Sequence, residues 1–521
     1  MKKPLLTATA LTIVGLLTLA ACGGPAPTPE NSTTPTEPAA QSIVIDASFD
    51  NFTTVDPAWE RSSLGNLSTK VLYDTLLTYS GSDMSNTVPN LATMEISADY
   101  KTFTFRLTAG RVFSSGNPVT ADDVVFSLTR VREVGSNNSP YLAEVEIEKV
   151  DESTVKLTTK TPRADLPAII ASPPNSIVEK AVVVANGGTA DKTDDAEAAL
   201  NAASAGSGPY ILEKADFTAE VVLTLNEKYN GEEKPGYSRI IIRKSDASTQ
   251  KMSLEAGESQ IAMDLSPTEA ASLDPAMLYS APTVATVYLI TNQTFFGDNG
   301  LKGLKAAINY PAMVEQAGSG VSQATSMIPK QFAGAVPEAD APKYDLEAAK
   351  PLAAAFGKTI KLSYLSDANI YGLQFTSLAE KLQAQLQEAG FQVELAPTPG
   401  AVFWDEYSSG KLTAALAYWM PDYLDPTGYL VFAPSNQFGE KFANWPKSSP
   451  EFAKAVTTAA DATDAAARAA AFTEFGKLSN AESPFVPILQ PAINIGHAAS
   501  VTGLSYNAAY TIDLADLKPA G

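Results

Sequence analysis

Two carboxylates lie among aromatic side chains in the segment Trp419-Met420-Pro421-Asp422-Tyr423-Leu424-Asp425-Pro426, directly after an apolar run at residues 412–419. A carboxylate shielded from water forms short, charge-assisted hydrogen bonds with an ammonium group, so Asp422 is a candidate for binding a cationic ligand. Two carboxylates across a sugar-sized groove are also the machinery of glycoside hydrolysis. Asp422 and Asp425 share a loop flanked by prolines, so we expect them to diverge, with Asp425 as the turn residue before Pro426. Asp422 is open to the same turn-forming interpretation.

Cys22 is the only cysteine of the chain, and it ends the sequence Leu19-Ala20-Ala21-Cys22. A basic start and an apolar stretch at residues 5–19 precede it, which is typical of a lipoprotein signal peptide at residues 1–21. We therefore expect Cys22 to become the acylated first residue. Residues 22–41, rich in Pro, Thr, Ser and Gly, then form a flexible linker. This interpretation anchors the protein by lipid to the extracytoplasmic face of the cell membrane.

The charge balance and the scarcity of histidine restrict the chemistry of the chain. It carries 37 basic and 58 acidic side chains, a net charge of −21. Such a surface repels nucleic acid and anionic lipid. His497 is the only histidine and has no nucleophile motif near it, so we interpret it as structural and expect no zinc site built from several His or Cys ligands. Walker A and Gly-x-Gly-x-x-Gly sequences are absent, and we predict no cofactor and no metal.

Hydrophobic periodicity predicts an α/β protein with more than one core, because roughly 480 residues follow the linker. The pattern predicts strands at residues 42–47 and 102–107 and a helix at residues 67–77. Thr120 is expected to cap a helix that runs to about residue 131, with acidic residues in its first turn. A further continuous helix is expected at residues 301–316.

The second half of the chain has the pattern of a β-α-β unit. It predicts a strand at residues 358–365, a helix at 372–389 that ends at Gly390, and a strand at 391–395. Such strands are parallel and are joined by a right-handed crossover. The apolar run at residues 412–419 supplies another strand. The Asp422 segment therefore follows a strand end, which is where α/β folds bind ligands.

Seven short sequence blocks occur in the order found in one bacterial family, spread over about 450 residues. They are Asp56-Pro57, Leu72-Tyr73-Asp74-Thr75-Leu76, Phe103-Thr104-Phe105-Arg106-Leu107, Ala121-Asp122-Asp123-Val124-Val125-Phe126-Ser127, Gly206-Ser207-Gly208-Pro209-Tyr210, Tyr344-Asp345 and the segment 484–489. With these blocks the chain resembles the extracellular solute-binding proteins of bacterial ABC importers, family 5, which include the oligopeptide- and dipeptide-binding proteins.

The resemblance implies an α/β, two-lobed, periplasmic-binding-protein-like clamshell with an extra subdomain inserted in the first lobe. Lobe I would comprise residues 42–72, 206–286 and 492–521, the inserted subdomain residues 73–205, and lobe II residues 287–491. The resemblance further implies a monomeric transport protein that is not an enzyme. It would capture a peptide between the lobes and deliver it to ABC permease subunits in the membrane.

The resemblance also implies roles for residues of the second lobe. In similar proteins, an aspartate at the position of Asp422 holds the α-ammonium of the ligand. The tryptophan three residues earlier, here Trp419, forms a wall of the pocket, and Tyr423 adjoins both. Trp404 matches a second tryptophan near the pocket, although it fits equally well as an anchor of its helix on the sheet.

The loop after Asp56-Pro57 approaches the cleft in the family, which makes Trp59 and Arg61 further candidates for ligand contact. The chain departs from the dipeptide-binding pattern because no arginine occurs between Arg243 and Arg468. Up to Arg468, the second lobe therefore cannot supply the arginine that dipeptide binders use for the ligand carboxylate. The ligand carboxylate would then be bound by a lysine or by Arg61, or the site would accept peptides of several lengths.

Oligopeptides are the ligands that we favour from the sequence. Relatives with the same frame bind sugars, opines or metal chelates, so capture of a non-peptide solute is the alternative function. A glycoside hydrolase that uses Asp422 and Asp425 is a second alternative. A surface adhesion or signalling lipoprotein that keeps the fold without transport is a third.

Overall fold

The computed structural model of the protein describes residues 41–366, 369–434 and 436–521. The predicted signal peptide, the predicted acylation site Cys22 and the linker up to residue 40 lie outside these residues. Two mixed sheets organise the described chain, and a smaller antiparallel sheet is inserted between two strands of the first. This alternation of helices and strands confirms the predicted α/β class.

The first sheet has seven strands, and three of its central strands are parallel. Ser42–Ala47 pairs in parallel with Arg239–Lys244 on one side and with Ile261–Ala262 on the other. The carboxyl ends of these three strands therefore lie at one edge of the sheet. In spatial order the strands are Leu278–Pro282, Ala492–His497, Ile261–Ala262, Ser42–Ala47, Arg239–Lys244, Glu220–Leu225 and Tyr210–Asp216.

The second sheet has six strands and contains the predicted β-α-β unit. Thr359–Leu365 runs parallel to Gln392–Thr398 and to Ala414–Trp419, so these three carboxyl ends also share an edge. Helix Phe375–Glu388 makes the crossover and buries the leucines that the pattern placed on one face. In spatial order the strands are Ser322–Gln323, Phe485–Gln490, Thr286–Thr291, Ala414–Trp419, Thr359–Leu365 and Gln392–Thr398.

The inserted sheet is antiparallel and carries the predicted capped helix. Asp123 accepts hydrogen bonds from the backbone N–H and the hydroxyl of Thr120, at 3.0 and 2.6 Å, which fixes the start of helix Ala121–Glu133. In spatial order the strands are Ala92–Ile96, Thr102–Leu107, Thr154–Thr159 and Val145–Asp151.

The other elements are helices and short strand pairs that connect the sheets. Longer α-helices span Ser63–Leu72, Ala247–Glu255, Gln293–Ala307, Tyr310–Ala317, Leu346–Phe356, Gly400–Ser408, Pro450–Asp461 and Ala465–Glu482. Shorter ones span Ser139–Leu142, Leu166–Ile170, Lys180–Ala185, Glu197–Leu200 and Pro267–Ser272. Short strands pair Leu77–Thr78 with Val88–Pro89, Asn369–Ile370 with Leu373–Gln374, Val501–Thr502 with Lys518–Pro519, and Tyr506–Asn507 with Thr511–Ile512. None of the described helices has the length and apolarity needed to cross a bilayer.

The helix predicted at residues 67–77 was placed too late in the chain. It spans Ser63–Leu72, because the Ser62 hydroxyl accepts a hydrogen bond from the Gly65 N–H at 3.0 Å and begins the helix there. The chain becomes extended again at Tyr73, with ψ of 162°.

Two predictions for helices in the second half also need correction. The segment 301–316 is not one helix, because Asn309 caps a new helix, Tyr310–Ala317, with Pro311 in its first turn. The helix predicted from residue 372 begins at Phe375. Tyr371 and Gly372 have positive φ values of 51° and 74°, which form a tight hairpin ahead of it.

Two short segments cross between the first and second sheets. One is residues 283–285 and the other is Pro491, and hydrogen bonds tie them together. The Thr283 N–H donates to the Pro491 carbonyl at 2.9 Å, and Gln490 Nε2 donates to the Thr283 carbonyl at 2.7 Å. Hinges are a few residues between lobes that absorb the change in backbone angles on closure, so these two adjacent crossings form the candidate hinge.

The loop between Ser42–Ala47 and Ser63–Leu72 is fixed by a buried arginine of the inserted subdomain. The Arg130 guanidinium is 1% exposed and donates to both oxygens of Asp56, at 2.7 and 2.5 Å. It also donates to both oxygens of Asp194, at 2.8 and 2.7 Å, and Trp59 Nε1 donates to the same carboxylate at 3.1 Å. This network, which we call the Arg130 clamp, sets where the next residues of the loop point.

Glu60 follows the Arg130 clamp and is 1% exposed. Its Oε1 accepts hydrogen bonds from the backbone N–H groups of Arg61 and Ser62, while Oε2 is buried with no partner in the described chain. Burial raises the pKa of Glu60 from an ordinary value of 4.5 to about 7, against the hydrogen bonds and the charge of Arg61, which lower it. A carboxyl held in this way is partly protonated near neutral pH.

Replacing Asp56 with Ala should strongly destabilise the fold. The substitution leaves the buried Arg130 guanidinium with one carboxylate instead of two, and removal of one partner from a buried ion pair costs ~3–5 kcal/mol. Glu95→Ala is the control, because Glu95 and its partner Arg106 are 3.8 Å apart and both exposed. Thermal melts of the two variants should differ clearly, and equal melting temperatures would contradict a structural role for the clamp.

Glu60→Gln should flatten the dependence of stability on pH. The folded pKa of Glu60 lies above its unfolded value, so its contribution to stability is complete below pH 4.5 and is lost as the pH rises through 7, by up to about 3 kcal/mol. Thermal midpoints measured from pH 4.5 to 8 should fall further for the wild type than for Glu60→Gln. The exposed variant Glu95→Gln should keep the wild-type profile. Parallel profiles for the wild type and Glu60→Gln would show that Glu60 does not titrate in this range.

Candidate functional site

Two neighbouring cavities lie between the edges where the parallel strands of the two sheets end. We call them the Asp264 chamber, of about 220 Å³, and the Asp422 chamber, of about 170 Å³. Because the two share several wall residues, they are adjacent parts of one cleft. The shared residues are Arg61, Ser62, Ser63, Met420 and Thr511.

The walls of the Asp264 chamber come from both sheets. On the first-sheet side, Ser48 follows Ser42–Ala47 and Asp264 follows Ile261–Ala262, which are parallel strands. On the second-sheet side, Tyr418 lies near the end of Ala414–Trp419, and Tyr371 comes from the tight hairpin. This is the place where parallel strands of α/β folds present ligand-binding groups.

Asp422 lies in the wall of the second chamber and its carboxylate accepts a hydrogen bond from the Tyr141 hydroxyl of the inserted subdomain. Water reaches the side chain through the chamber. Partial removal from bulk water nevertheless raises the pKa of Asp422, while the hydrogen bond from Tyr141 acts in the opposite direction. No lysine or arginine of the described chain forms an ion pair with Asp422. The carboxylate is therefore available to a cation from outside.

Asp425 and not Asp422 has the turn function. Asp425 accepts a hydrogen bond from the Thr427 N–H at 2.8 Å, begins the turn at Pro426–Phe432, and forms an ion pair with Arg468. It lines a different cavity from Asp422. The two carboxylates thus do not face each other across one groove, which removes the geometric basis for a glycoside hydrolase that uses this pair.

Arg61 is the cation that lines both chambers. Its side chain is exposed, and its guanidinium has no hydrogen bond or ion pair with any described residue. The loop held by the Arg130 clamp carries it to this position. A guanidinium presents a planar fork of donors that suits a carboxylate. The Asp422 chamber therefore has an unpaired cation and an available anion in the same wall.

The predicted aromatic residues differ in their placement. Tyr423 is buried, lines the Asp422 chamber and stacks edge-on against Tyr141 with ring centroids 5.1 Å apart. Trp419 packs away from the chambers against Tyr429 and Phe432, at 4.8 and 5.2 Å. It does not line either chamber.

Trp404 and Trp59 also lie outside the chamber walls. Trp404 is 39% exposed and contacts the Tyr418 ring at 6.0 Å, so it stands behind a chamber residue. Trp59 belongs to the Arg130 clamp through its bond to Asp194. Both therefore reach the cleft only through other residues.

Sequence reasoning missed several residues of the chamber walls. Tyr418 and Met420 flank Trp419, and the alternation of side chains along a strand could have indicated that they face the cleft when Trp419 does not. Asp264 gave no comparable signal, because the strand before it has only two residues.

The arrangement suits recognition of a molecule that carries both charges. The only histidine, His497, lies outside both chamber walls, and its Nδ1 contacts the Ala498 carbonyl. No group of three or more His, Cys, Asp or Glu residues within the described ranges could hold a metal ion together. Charge pairing and burial between the two sheets are the chemistry that these walls offer.

Comparison with known proteins identifies the family and the fold of the chain. Residues 86–441 match the bacterial extracellular solute-binding proteins, family 5. A probable D,D-dipeptide-binding periplasmic protein of Escherichia coli K12 is 25% identical over 426 residues, which cover 79% of this chain and 80% of the relative.

Two solved structures share the fold. The periplasmic binding protein DppA of Helicobacter pylori, in complex with the peptide STSA, gives a TM-score of 0.76 at 21% identity, covering 92% of this chain and 98% of the other. A binding protein of A. tumefaciens R10, in complex with agropinic acid, gives 0.75 at 22% identity, covering 92% and 99%. The two-lobed fold and the matched segment lead to one conclusion: the chain belongs to the bacterial extracellular solute-binding proteins of family 5.

Proposed function

We propose that this protein captures peptides in the cleft between its two main sheets and delivers them to the permease of an ABC importer. The observation that carries the proposal is the pair of unpaired opposite charges in one chamber, Asp422 and Arg61. A peptide of ordinary sequence has an ammonium at one end and a carboxylate at the other. The chamber offers a partner for each.

In this proposal Asp422 binds the α-ammonium and Arg61 binds a carboxylate of the ligand. Charge-assisted hydrogen bonds of this kind are stronger in a closed cleft than in water, because the surrounding protein lowers the local dielectric constant. Tyr141 orients Asp422 by its hydrogen bond. Tyr423 fills the wall beside them, and Trp404 supports the wall from behind Tyr418.

The names of relatives are compatible with a peptide ligand. The Escherichia coli relative is described as D,D-dipeptide-binding, and the Helicobacter pylori structure contains a peptide. The binding protein in complex with agropinic acid has the same fold. Capture of a zwitterionic solute other than a peptide is therefore the alternative function. At such low sequence identities the fold does not identify the ligand. The residues of the site decide between a peptide and another zwitterionic solute.

We further propose that the domain boundaries follow the sheets. Lobe I comprises residues 42–72, 206–286 and 492–521, the inserted subdomain residues 73–205, and lobe II residues 287–491. The candidate hinge at residues 283–285 and Pro491 then joins the lobes, and the lobes close when ligand binds. The protein works as a monomer in this proposal.

Acylation of Cys22 is the proposed means of attachment to the membrane. The sequence Leu19-Ala20-Ala21-Cys22 supports it, together with the linker that separates Cys22 from the first strand at Ser42. The relative from Escherichia coli is periplasmic by name, which agrees with a location outside the cytoplasm. The protein would work on the extracytoplasmic face, next to its permease.

Asp422→Asn should weaken the binding of trialanine at least about thirtyfold, or ~2 kcal/mol. The amide keeps the shape and the bond with Tyr141 but leaves the ligand ammonium without a counter-charge. Calorimetric titration measures the affinity, and N-acetyl-trialanine should bind the wild type as weakly as trialanine binds the variant. Asp461→Asn, at an exposed helix end, is the matched control and should bind like the wild type.

The same titration with Arg61→Gln tests the other end of the peptide. Trialanine should bind this variant more weakly than the wild type, whereas trialanine amide should bind both alike. Unchanged trialanine affinity in Asp422→Asn would remove Asp422 from the site. Retention of an opine instead of any peptide would replace the proposed ligand.

Cys22→Ala should release the folded protein from the membrane fraction. The substitution removes the thiol that would carry the lipid, and 19 residues separate Cys22 from the first strand in the sequence. Fractionation of cells followed by carbonate washing measures the distribution, with trialanine titration of the released protein as the test of folding. A variant that stays bound to membranes after washing would contradict the lipid anchor.

A further inference from the structure

The Asp264 chamber contains two carboxylates that the proposed contacts at Asp422 and Arg61 do not use. Asp50 lies on the loop after Ser42–Ala47 and is exposed in the cleft. Asp264 is held by the Ser48 N–H and by Gln250 Nε2, which donate to its Oδ2 at 2.7 and 2.9 Å. Neither Asp50 nor Asp264 forms an ion pair with a lysine or arginine of the described chain.

The charge of Asp50 acts on Asp264 and on the opposite wall. Burial raises the pKa of Asp264, and the charge of Asp50 raises it further. Burial likewise raises the pKa of Tyr418, with a second contribution from Asp50 across the chamber. Negative charge is therefore concentrated here, and Arg61, the cation in the chamber wall, forms an ion pair with neither carboxylate. A bound cation relieves this repulsion.

A buried amide gives a second and independent indication of a ligand. Asn494 lines the Asp264 chamber and is 4% exposed, and its Oδ1 accepts a hydrogen bond from the Ser280 hydroxyl at 2.8 Å. Its Nδ2 is buried and has no partner in the described chain. A buried donor without an acceptor is costly, and a ligand carbonyl oxygen in the chamber would satisfy it.

The remaining walls suit a long side chain with a charged end. Tyr371 and Tyr418 provide aromatic surface, and Met263 and Met420 provide flexible apolar surface. Methylene stems of lysine and arginine pack on such surfaces while the charged end stays at a polar group. Aromatic faces also attract the cation itself.

We propose that the Asp264 chamber binds the cationic side chain of a lysine or arginine residue in the captured peptide. Asp50 and Asp264 act as its counter-ions, and Asn494 donates to a carbonyl oxygen of the same ligand. The inference rests on the proposed function and adds a preference for basic peptides. Arg61 and Met420 line both chambers. A peptide bound at Asp422 therefore passes these two residues to reach the Asp264 chamber.

Matched tripeptides test the proposal by calorimetric titration of the full-length protein. Lysine is placed at the first, second or third position of trialanine, and norleucine, which has the same stem without the charge, is placed at the same positions. At one position or more, the lysine peptide should bind at least fivefold more tightly than its norleucine partner. A ratio below fivefold at every position overturns the inference.

Variants then assign the preference to the chamber. In Asp50→Asn with Asp264→Asn, the ratio between lysine and norleucine peptides should fall to within twofold, while the norleucine affinity stays within threefold of the wild type. Asp50→Asn alone changes an exposed loop and should reduce the ratio at least twofold, which keeps the test valid if the double variant does not fold. Asp461→Asn should keep the wild-type ratio. A ratio that survives in Asp50→Asn overturns the inference.

The titrations separate failure of this inference from failure of the proposed function. If trialanine and all its derivatives fail to bind the wild type, peptide capture is wrong and this inference falls with it. If trialanine binds and its affinity depends on Asp422, but lysine and norleucine peptides bind alike, only the basic preference is wrong.

Discussion

The Arg130 guanidinium binds two buried carboxylates at once, and the wall of the cleft depends on that contact. Asp56 lies on the loop that follows the first strand, while Asp194 and Arg130 belong to the inserted subdomain. A buried ion pair contributes little net stability, because desolvation offsets most of its attraction, but its geometry is strict. The loop is consequently held in one conformation, and Arg61 is presented to both chambers. The inserted subdomain thus builds the site, and it does so again through the hydrogen bond from Tyr141 to Asp422.

The cleft has an excess of carboxylates whose burial is unfavourable without a ligand. Glu60, Asp264 and Asp422 all have a raised pKa, because the neighbouring protein removes part of their hydration. Retention of charges at such positions costs stability, which is the usual trade-off at a functional site. In the proposed function, a cationic ligand would offset this cost by supplying the missing counter-charges. The two sheets would then close about the crossings at residues 283–285 and Pro491 more readily on a cationic ligand than on a neutral one.

The local elements could be predicted from sequence wherever one pattern was sufficient. The β-α-β unit and the Thr120 cap are confirmed, because periodicity and capping residues act within a few turns. The break at Asn309 was missed, since the apolar pattern continues through it. For the site, sequence placed Asp422 after a strand end, but it could not assign Asp264 to the opposite wall. That assignment depends on parallel pairing between strands that are more than two hundred residues apart.

Hydrogen–deuterium exchange with and without saturating Ala-Lys-Ala tests the central claim, which is capture between the two sheets. The peptide should protect residues 48–63 on the first-sheet side together with residues 369–374 and 418–424 on the second-sheet side. Strands Val145–Asp151 and Thr154–Thr159 of the inserted sheet, away from both chambers, should exchange as before. Protection confined to one side of the cleft, or to residues outside both chambers, would contradict the account.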